Sequence, residues 1–211
     1  MTAVRRRSPG DAEPSDLATY RDMRRFDETP EPRGRAPRRR AASRGNGRFV
    51  VQRHRATALH WDLRLEMNGV LVSWAVPRGP TLDPRQRRLA IEVEDHPLEY
   101  FDFEGAIPAG QYGGGDVIVW DWGRWTADPE TPDGPEAISA GHLKFTLAGV
   151  KLHGGFVLIR TGGRYAARSR KPKWLLIHRR DPAAESGWDA EEFPESVKTG
   201  RTNDEVANQR A

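Results

Sequence analysis

The segment Leu59-His60-Trp61-Asp62-Leu63-Arg64-Leu65-Glu66 alternates strictly between apolar and polar residues. Successive side chains of a β-strand point to opposite faces, so this period of two predicts a strand. The apolar residues are expected to face a core, and the polar residues share the other face. Asn68-Gly69 follows directly and is a strong signal for a two-residue turn. The segment therefore predicts the first half of a β-hairpin.

The same pattern continues on both sides of this hairpin. Short alternating stretches are separated by turns rich in Gly and Pro. The alternating stretches cover 48–54, 70–76, 88–94, 116–121, 142–147, 155–160 and 173–178. Gly123 is expected to end the strand before it, and 127–137 to form a loop. About eight short strands separated by turns rich in Gly and Pro indicate an all-β barrel or sandwich.

The two ends of the chain differ from this middle part. Residues 1–47 contain twelve Arg against seven Asp or Glu, which predicts a flexible basic arm with a short helix at 16–26. Such an arm either contacts nucleic-acid phosphates or is a solvated, disordered tail. Residues 48–180 are expected to form the barrel domain, and 181–211 a surface-wrapping or disordered tail.

Composition excludes several classes of protein. Without cysteine there is no disulfide, zinc ribbon or thiolate nucleophile. No apolar run approaches the length of a membrane span, and the arginine-rich start lacks the apolar core of a secretory signal. We therefore expect no membrane association and a cytoplasmic, nucleoid-associated location.

The polar face of the first strand offers metal ligands. His60 and Asp62 would lie about 6.5–7 Å apart along the strand, and His54 ends the strand before it, across a short connector. Two imidazoles and a carboxylate suit Mn²⁺, Fe²⁺, Co²⁺ or Zn²⁺ in an open site. A single histidine on a strand is more often a surface or packed residue. Arg64 favours the functional interpretation, because its guanidinium fork fits phosphate oxygens.

The strand expected at 88–94 adds further polar groups. If the apolar residues at 89, 91 and 93 face inward, the residues at even-numbered positions face outward. These outward residues include Arg88, Glu92, Glu94 and His96. A metal, two arginines and a spare histidine are typical of phosphoryl transfer. His96 would protonate a leaving oxygen or bind phosphate. Arg78, in a turn, is either a further phosphate-binding cation or a solvated residue.

Several separated blocks resemble the phosphoesterase domain of bacterial DNA ligase D. They are Phe49-Val50-Val51-Gln52-Arg53-His54, the strand 59–66, Ser73-Trp74-Ala75-Val76-Pro77, Val93-Glu94-Asp95-His96-Pro97-Leu98-Glu99-Tyr100, Phe103-Glu104-Gly105, Gly141-His142-Leu143-Lys144-Phe145 and, in the arm, Leu17-Ala18-Thr19-Tyr20 with Arg24-Arg25-Phe26 and Thr29-Pro30-Glu31-Pro32. The resemblance covers roughly residues 17–180 in the family's order.

The resemblance implies a compact β-barrel that uses Mn²⁺, with Zn²⁺ or Co²⁺ as alternatives. Such a domain trims 3′-terminal ribonucleotides and removes 3′-phosphates, leaving a 3′-hydroxyl. The family's metal ligands fall on His54, His60 and Asp62. Its phosphate-contacting and catalytic positions fall on Arg64, Arg88, Glu94, His96 and Tyr100, of which Tyr100 follows from the resemblance alone. Arg78 replaces a common Lys, and Trp61 a smaller aromatic.

The expected partners are the 3′ ends of DNA or RNA/DNA primer–templates. A chain of this length would act alone, as a monomer, beside separate end-joining polymerase, ligase and end-binding proteins. Two other interpretations remain. A non-catalytic nucleic-acid-binding barrel that tethers repair partners would not need three converging metal ligands, and a metal-dependent oxygenase would need a cosubstrate pocket.

Overall fold

The computed structural model describes residues 17–35, 45–132, 134–162 and 171–208. Its strands are β1 Asn46–Arg55, β2 Leu59–Met67, β3 Val70–Val76, β4 Arg88–Pro97, β5 Gly105–Ile107, β6 Gly115–Ala127, β7 His142–Gly149, β8 His153–Arg160 and β9 Lys173–His178. Its α-helices are α1 Ala18–Asp22, α2 Gly134–Ala140 and α3 Asn203–Asn208.

The strands form a closed antiparallel barrel. The sheet order is β1-β2-β3-β4-β9-β8-β7-β6-β5, and β1 also pairs with β6. This last pairing closes a ring of eight strands, to which the short β5 is added along β6. The expected all-β barrel of about eight strands is therefore confirmed. Closure leaves no long unpaired edge in the ring.

The β2–β3 hairpin matches the prediction from alternation. Asn68 and Gly69 both adopt positive φ, at 49° and 85°, as the tightest hairpin turns require. The register then pairs Arg64 with Ser73 and Trp61 with Val76. The tight turn thus sets which polar residues lie side by side on the outer face of the barrel.

Two boundaries differ from the prediction. β6 does not end at Gly123 but runs on to Ala127. A Cβ at Gly123 would lie 2.1 Å from the carbonyl oxygen of Ala148, so glycine is there because β7 approaches closely. Part of the expected loop at 127–137 is the helix α2, which packs Ala137 into the core.

Aromatic side chains fill the inside of the barrel. Five of the tryptophans are at most 1% exposed; they are Trp61, Trp74, Trp120, Trp125 and Trp174. Trp125 is thus a packing residue of the core. The C-terminal segment 181–208 packs on the same core through Trp188, Ala190 and Val206.

The prediction of which β4 residues face the barrel core is wrong for the first half of the strand. Ala90 lies in the barrel core, whereas Leu89 is 41% exposed. A register shift then changes the parity, because Ser73 pairs with Val93 but Leu71 pairs with His96. This bulge puts one extra residue into β4 and returns His96 to the outer face. Arg88, which has the parity of Ala90, therefore faces inward.

Part of the predicted arm packs against the outer face of the barrel. Within the expected helix at 16–26, α1 covers Ala18–Asp22. Tyr20 is fully buried in a second apolar cluster with Leu71 and Tyr100. The segment 17–35 thus packs on the barrel, contrary to the expected flexible arm, and Asn46 and Gly47 already belong to β1. The rest of that arm, residues 1–16 and 36–44, lies outside the described residues. In the described parts of the chain, no helix is long and apolar enough to cross a membrane.

Candidate metal and phosphate site

The β1–β2 hairpin brings the predicted metal ligands together. His54 pairs with His60 across the two strands, and Gln52 pairs with Asp62. The nitrogen and oxygen atoms that His54, His60 and Asp62 could offer to one ion all lie within 4.8 Å of one another. The His54 Nδ1 lies 3.7 Å from Asp62 Oδ2, and the His60 Nε2 lies 3.6 Å from Asp62 Oδ1.

The hydrogen bonds of the two histidines orient their free nitrogens toward Asp62. His54 Nε2 donates to the Gly113 carbonyl at 2.8 Å, and His60 Nδ1 donates to the Ala58 carbonyl at 3.0 Å. Each ring is then left with a lone pair on the nitrogen that faces the carboxylate. Metal-binding histidines are commonly held in this way by a carbonyl behind the ring. The donor set therefore fits a divalent cation with free coordination positions.

Arg64 is the buried cation beside this group, and it is 3% exposed. Its Nη2 donates to Asp62 Oδ2 at 2.9 Å, and its Nε donates to Gln52 Oε1 at 2.7 Å. Its Nη1 donates to Ser73 Oγ at 3.0 Å and lies 2.9 Å from His96 Nδ1. These contacts fix the guanidinium plane. Gln52 is two residues before His54 and therefore points to the same face of β1. The alternation in the sequence could have identified it for that reason.

Asp62 is held as a carboxylate. Burial by itself would raise its pKa, but Arg64 and the two histidines outweigh burial and hold the pKa well below its ordinary value. The side chain is therefore negatively charged at neutral pH. A carboxylate next to two imidazoles is a donor set that suits a divalent cation.

His96 lies between two guanidinium groups. In addition to the Arg64 contact, its Nε2 lies 3.2 Å from Nη2 of Arg24. Burial, followed by Arg64 and Arg24, lowers the pKa of His96 well below its ordinary value. The ring is therefore neutral at pH 7; its Nδ1–H donates to the Glu94 carbonyl at 2.9 Å, and its Nε2 lone pair faces Arg24.

Arg24 and Glu31 come from the arm segment and were not identified from the sequence. Arg24 donates to Glu31 Oε1 at 2.9 Å and to Glu94 Oε1 at 3.3 Å. Tyr100 donates to the same Glu31 oxygen at 3.0 Å. Burial, followed by Glu31, raises the pKa of Tyr100 well above its ordinary value, so the phenol stays protonated. The available signals were the family-like blocks Arg24-Arg25-Phe26 and Thr29-Pro30-Glu31-Pro32.

The structure does not bring Arg88 and Arg78 to this group. Arg88 is buried on the inner face of β4, and its Nε has no hydrogen-bond partner among the described residues. Burial, and then the nearby Arg78 cation, lower the pKa of Arg88. The expectation that these two arginines bind phosphate remains a prediction. The other predicted residues surround one cavity of about 240 Å³; they are His54, His60, Asp62, Arg64, Glu94, His96 and Tyr100.

The buried neutral His96 predicts a pH dependence of stability. Its folded pKa lies below the unfolded value of about 6.5, so below that pH only the unfolded chain gains a proton there. This contribution to stability is complete above pH 6.5 and is lost as pH falls toward the folded pKa. We expect its loss at up to about 1.4 kcal/mol per pH unit.

Urea unfolding of wild type and His96→Gln between pH 5 and 7.5, in chelator, measures this effect. The variant should show a shallower fall in unfolding free energy toward low pH. His142→Gln is the control, because His142 is an exposed residue at the start of β7. Equal slopes for wild type and His96→Gln would contradict the assignment.

Comparison with known proteins yields one family. A model of the DNA ligase D 3′-phosphoesterase domain matches residues 52–160. The chain is 50% identical over 189 residues to the multifunctional non-homologous end joining protein LigD of Pseudomonas aeruginosa, covering 88% of this chain and 21% of that protein.

Two mycobacterial proteins are also similar. The multifunctional non-homologous end joining protein LigD of Mycolicibacterium smegmatis is 45% identical over 152 residues, which are 70% of this chain and 19% of that protein. The corresponding DNA repair protein LigD of Mycobacterium tuberculosis H37Rv is 44% identical over 147 residues, 70% of this chain and 18% of that protein. The chain spans about a fifth of the length of these relatives.

Proposed function

The chain belongs to the DNA ligase D 3′-phosphoesterase family, and from this membership we propose that it is a metal-dependent hydrolase of 3′ ends. It removes 3′-phosphates and 3′-terminal ribonucleotides from DNA and leaves a 3′-hydroxyl for end joining. The observation that carries the proposal is the convergence of His54, His60 and Asp62 beside the buried cation Arg64.

His54 Nδ1, His60 Nε2 and an Asp62 oxygen would hold the cation, which we propose is Mn²⁺. When bound, such an ion offsets negative charge on phosphate oxygens and lowers the pKa of a coordinated water. Zn²⁺ and Co²⁺ suit the same donors, and affinity order alone would favour them. The protein's own contribution is a rigid donor set in which each imidazole is oriented by a backbone carbonyl.

The cations beside the metal ligands bind the phosphate. Arg64 donates one N–H each to Gln52, Ser73 and Asp62, which leaves an N–H on Nη2 for a substrate oxygen. Arg24 adds a second guanidinium from the arm segment, on the far side of His96. Two fixed cations stabilise the extra charge that develops on the phosphate oxygens in the transition state.

Hydrolysis needs a proton for the leaving oxygen. The hydroxyl of water bonds to phosphorus, the bond from phosphorus to the leaving sugar oxygen breaks, and that oxygen takes a proton. His96 could bind a phosphate oxygen or protonate the leaving oxygen only from Nε2, because its Nδ1 donates to the Glu94 carbonyl at 2.9 Å. Donation from Nε2 requires the ring to take up a proton first. Glu94 and Tyr100 position the neighbouring groups, Glu94 through Arg24 and Tyr100 through Glu31.

The partners we propose are 3′ ends of DNA or RNA/DNA primer–templates. The chain would act in the cytoplasm, associated with the nucleoid, as a monomer beside an end-joining polymerase, ligase and end-binding protein. A non-catalytic tethering barrel is the alternative function. A tethering role would account for basic residues on the surface. It would not account for two imidazoles whose free nitrogens both face one buried carboxylate.

The test is a gel assay on labelled primer–template duplexes that end in a 3′-phosphate or in one 3′-ribonucleotide. We expect wild type to convert both to a 3′-hydroxyl end with Mn²⁺ and neither with chelator. A duplex with a 3′-hydroxyl end, unchanged throughout, controls for contaminating nuclease. Duplex binding without end processing under Mn²⁺, Zn²⁺ or Co²⁺ would instead support the tethering barrel.

A further inference from the structure

The loop between β5 and β6 is a wall of the cavity that the proposed chemistry does not use. Residues 108–114 form two successive turns, closed by Gln111 N donating to Pro108 O at 3.2 Å and by Gly114 N donating to Gln111 O at 3.0 Å. Gly110 and Gly113 both have positive φ, at 89° and 73°, which such tight reversals require. Between these two glycines, the loop projects Tyr112.

This loop is attached to both sides of the site. The Gly113 carbonyl accepts the hydrogen bond from the predicted metal ligand His54. The Gln111 side-chain amide donates to Glu28 of the arm segment. The loop therefore has a fixed position relative to the metal ligands on one side and to the arm on the other.

The Tyr112 ring is held but not covered. Its hydroxyl donates to Glu94 Oε2 at 3.3 Å, and the Arg24 guanidinium lies 5.3 Å from the ring centroid. Lys171 interacts with the same hydroxyl. The side chain nevertheless stays 40% exposed while lining the cavity. An aromatic ring that is fixed in place and open on one side is a platform for a flat partner.

The cavity has two chemically different parts. Arg64, Arg24 and His96 offer the charges and N–H groups that a phosphate needs. Apolar groups also line the cavity, together with the Tyr112 ring, which lies beside Arg24; they are Ala56, Ala75, Val93 and Ile107. A volume of about 240 Å³ is below the usual range for drug-sized ligands.

We propose that Tyr112 is a specificity-determining residue, whose ring stacks on the base of the terminal ribonucleotide that is cut off. This inference rests on the proposed function. A 3′-phosphate monoester and a terminal ribonucleotide diester present the same phosphate to the same cations. Only the diester carries a nucleoside on the far side of phosphorus. A contact with that nucleoside therefore changes the processing of diesters and leaves the processing of monoesters unchanged.

The test compares both reactions in one protein. Base–aromatic stacking is worth about 1–3 kcal/mol per base, so Tyr112→Ala should lower kcat/KM for removal of a terminal ribonucleotide by about 10-fold. Removal of a 3′-phosphate should stay within about twofold of wild type. Tyr112→Phe keeps the ring and should retain both activities, which separates stacking from the hydrogen bond to Glu94.

A third substrate identifies the stacked group. Wild type should remove a terminal abasic ribose about 10-fold more slowly than a terminal ribonucleotide. Tyr112→Ala should cause no further loss of rate on the abasic substrate, because the missing base and the missing ring remove the same contact. A parallel fall of both activities in Tyr112→Ala, or no fall in either, overturns the inference. A wild type inactive on both substrates with Mn²⁺ would instead refute the proposed function.

Discussion

Asp62→Asn should weaken Mn²⁺ binding by at least about 100-fold and reduce 3′-phosphate removal by a similar factor. Replacing groups that only orient a metal ligand typically costs 10–100-fold in metal affinity, and Asp62 is itself placed as a ligand. Asparagine keeps the shape of the side chain but loses its charge. The buried guanidinium of Arg64 would then lack its carboxylate partner, which lies at 2.9 Å. We expect stability to fall as well, by about 3 kcal/mol.

Calorimetric titration with Mn²⁺, initial rates on a 3′-phosphate duplex and urea unfolding measure the three effects. Asp22→Asn is the matched control, because Asp22 ends α1 on the exposed side of the arm segment. It should bind Mn²⁺ and process ends like wild type. Unchanged Mn²⁺ affinity in Asp62→Asn would show that the ion binds elsewhere, and the proposed site would have to be abandoned.

Arg24→Met should reduce activity by about 100-fold and destabilise the protein by about 3 kcal/mol. Loss of one positioned donor to a developing negative charge commonly costs 10²–10³ in rate. The destabilisation has a separate cause, because the Glu31 side chain is 0% exposed and would be left as a buried charge without its cation. Glu94 lies against the same guanidinium and adds like-charge repulsion.

A second substitution separates these two effects. The double variant Arg24→Met with Glu31→Gln removes both charges. It should recover most of the stability that Arg24→Met loses, but not the activity. Arg25→Met is the matched control, since the neighbouring Arg25 side chain is 72% exposed and should tolerate the change. Full activity in Arg24→Met would mean that the arm segment packs on the barrel without contributing to phosphate binding.

Local pattern was sufficient to predict that the proposed metal ligands lie together. His54, His60, Asp62 and Arg64 all lie in one hairpin, where alternation and a short connector determine which side chains share a face. Such contacts depend on backbone geometry over a few residues, and that geometry is nearly the same in every antiparallel pair. The strands of the barrel were predictable for the same reason, with errors mainly at their ends.

The face of Arg88 was not predictable from alternation. The bulge in β4 inserts one residue between Val93 and His96, so the period of two holds on each side of it but not across it. A single extra residue exchanges the two faces of a strand. Arg88 and His96 have the same parity in the sequence, yet one faces into the barrel and the other lies beside Arg64.

The sequence by itself therefore determined an all-β chain and a hairpin with two histidines, an aspartate and an arginine on one polar face. Tertiary structure decided what covers that face. Arg24 lies 72 residues from His96 in the chain, and Glu31 lies 69 residues from Tyr100. Contacts at such separations follow from how the arm and the turn after β4 pack on a closed barrel, and no local period in the sequence records that packing.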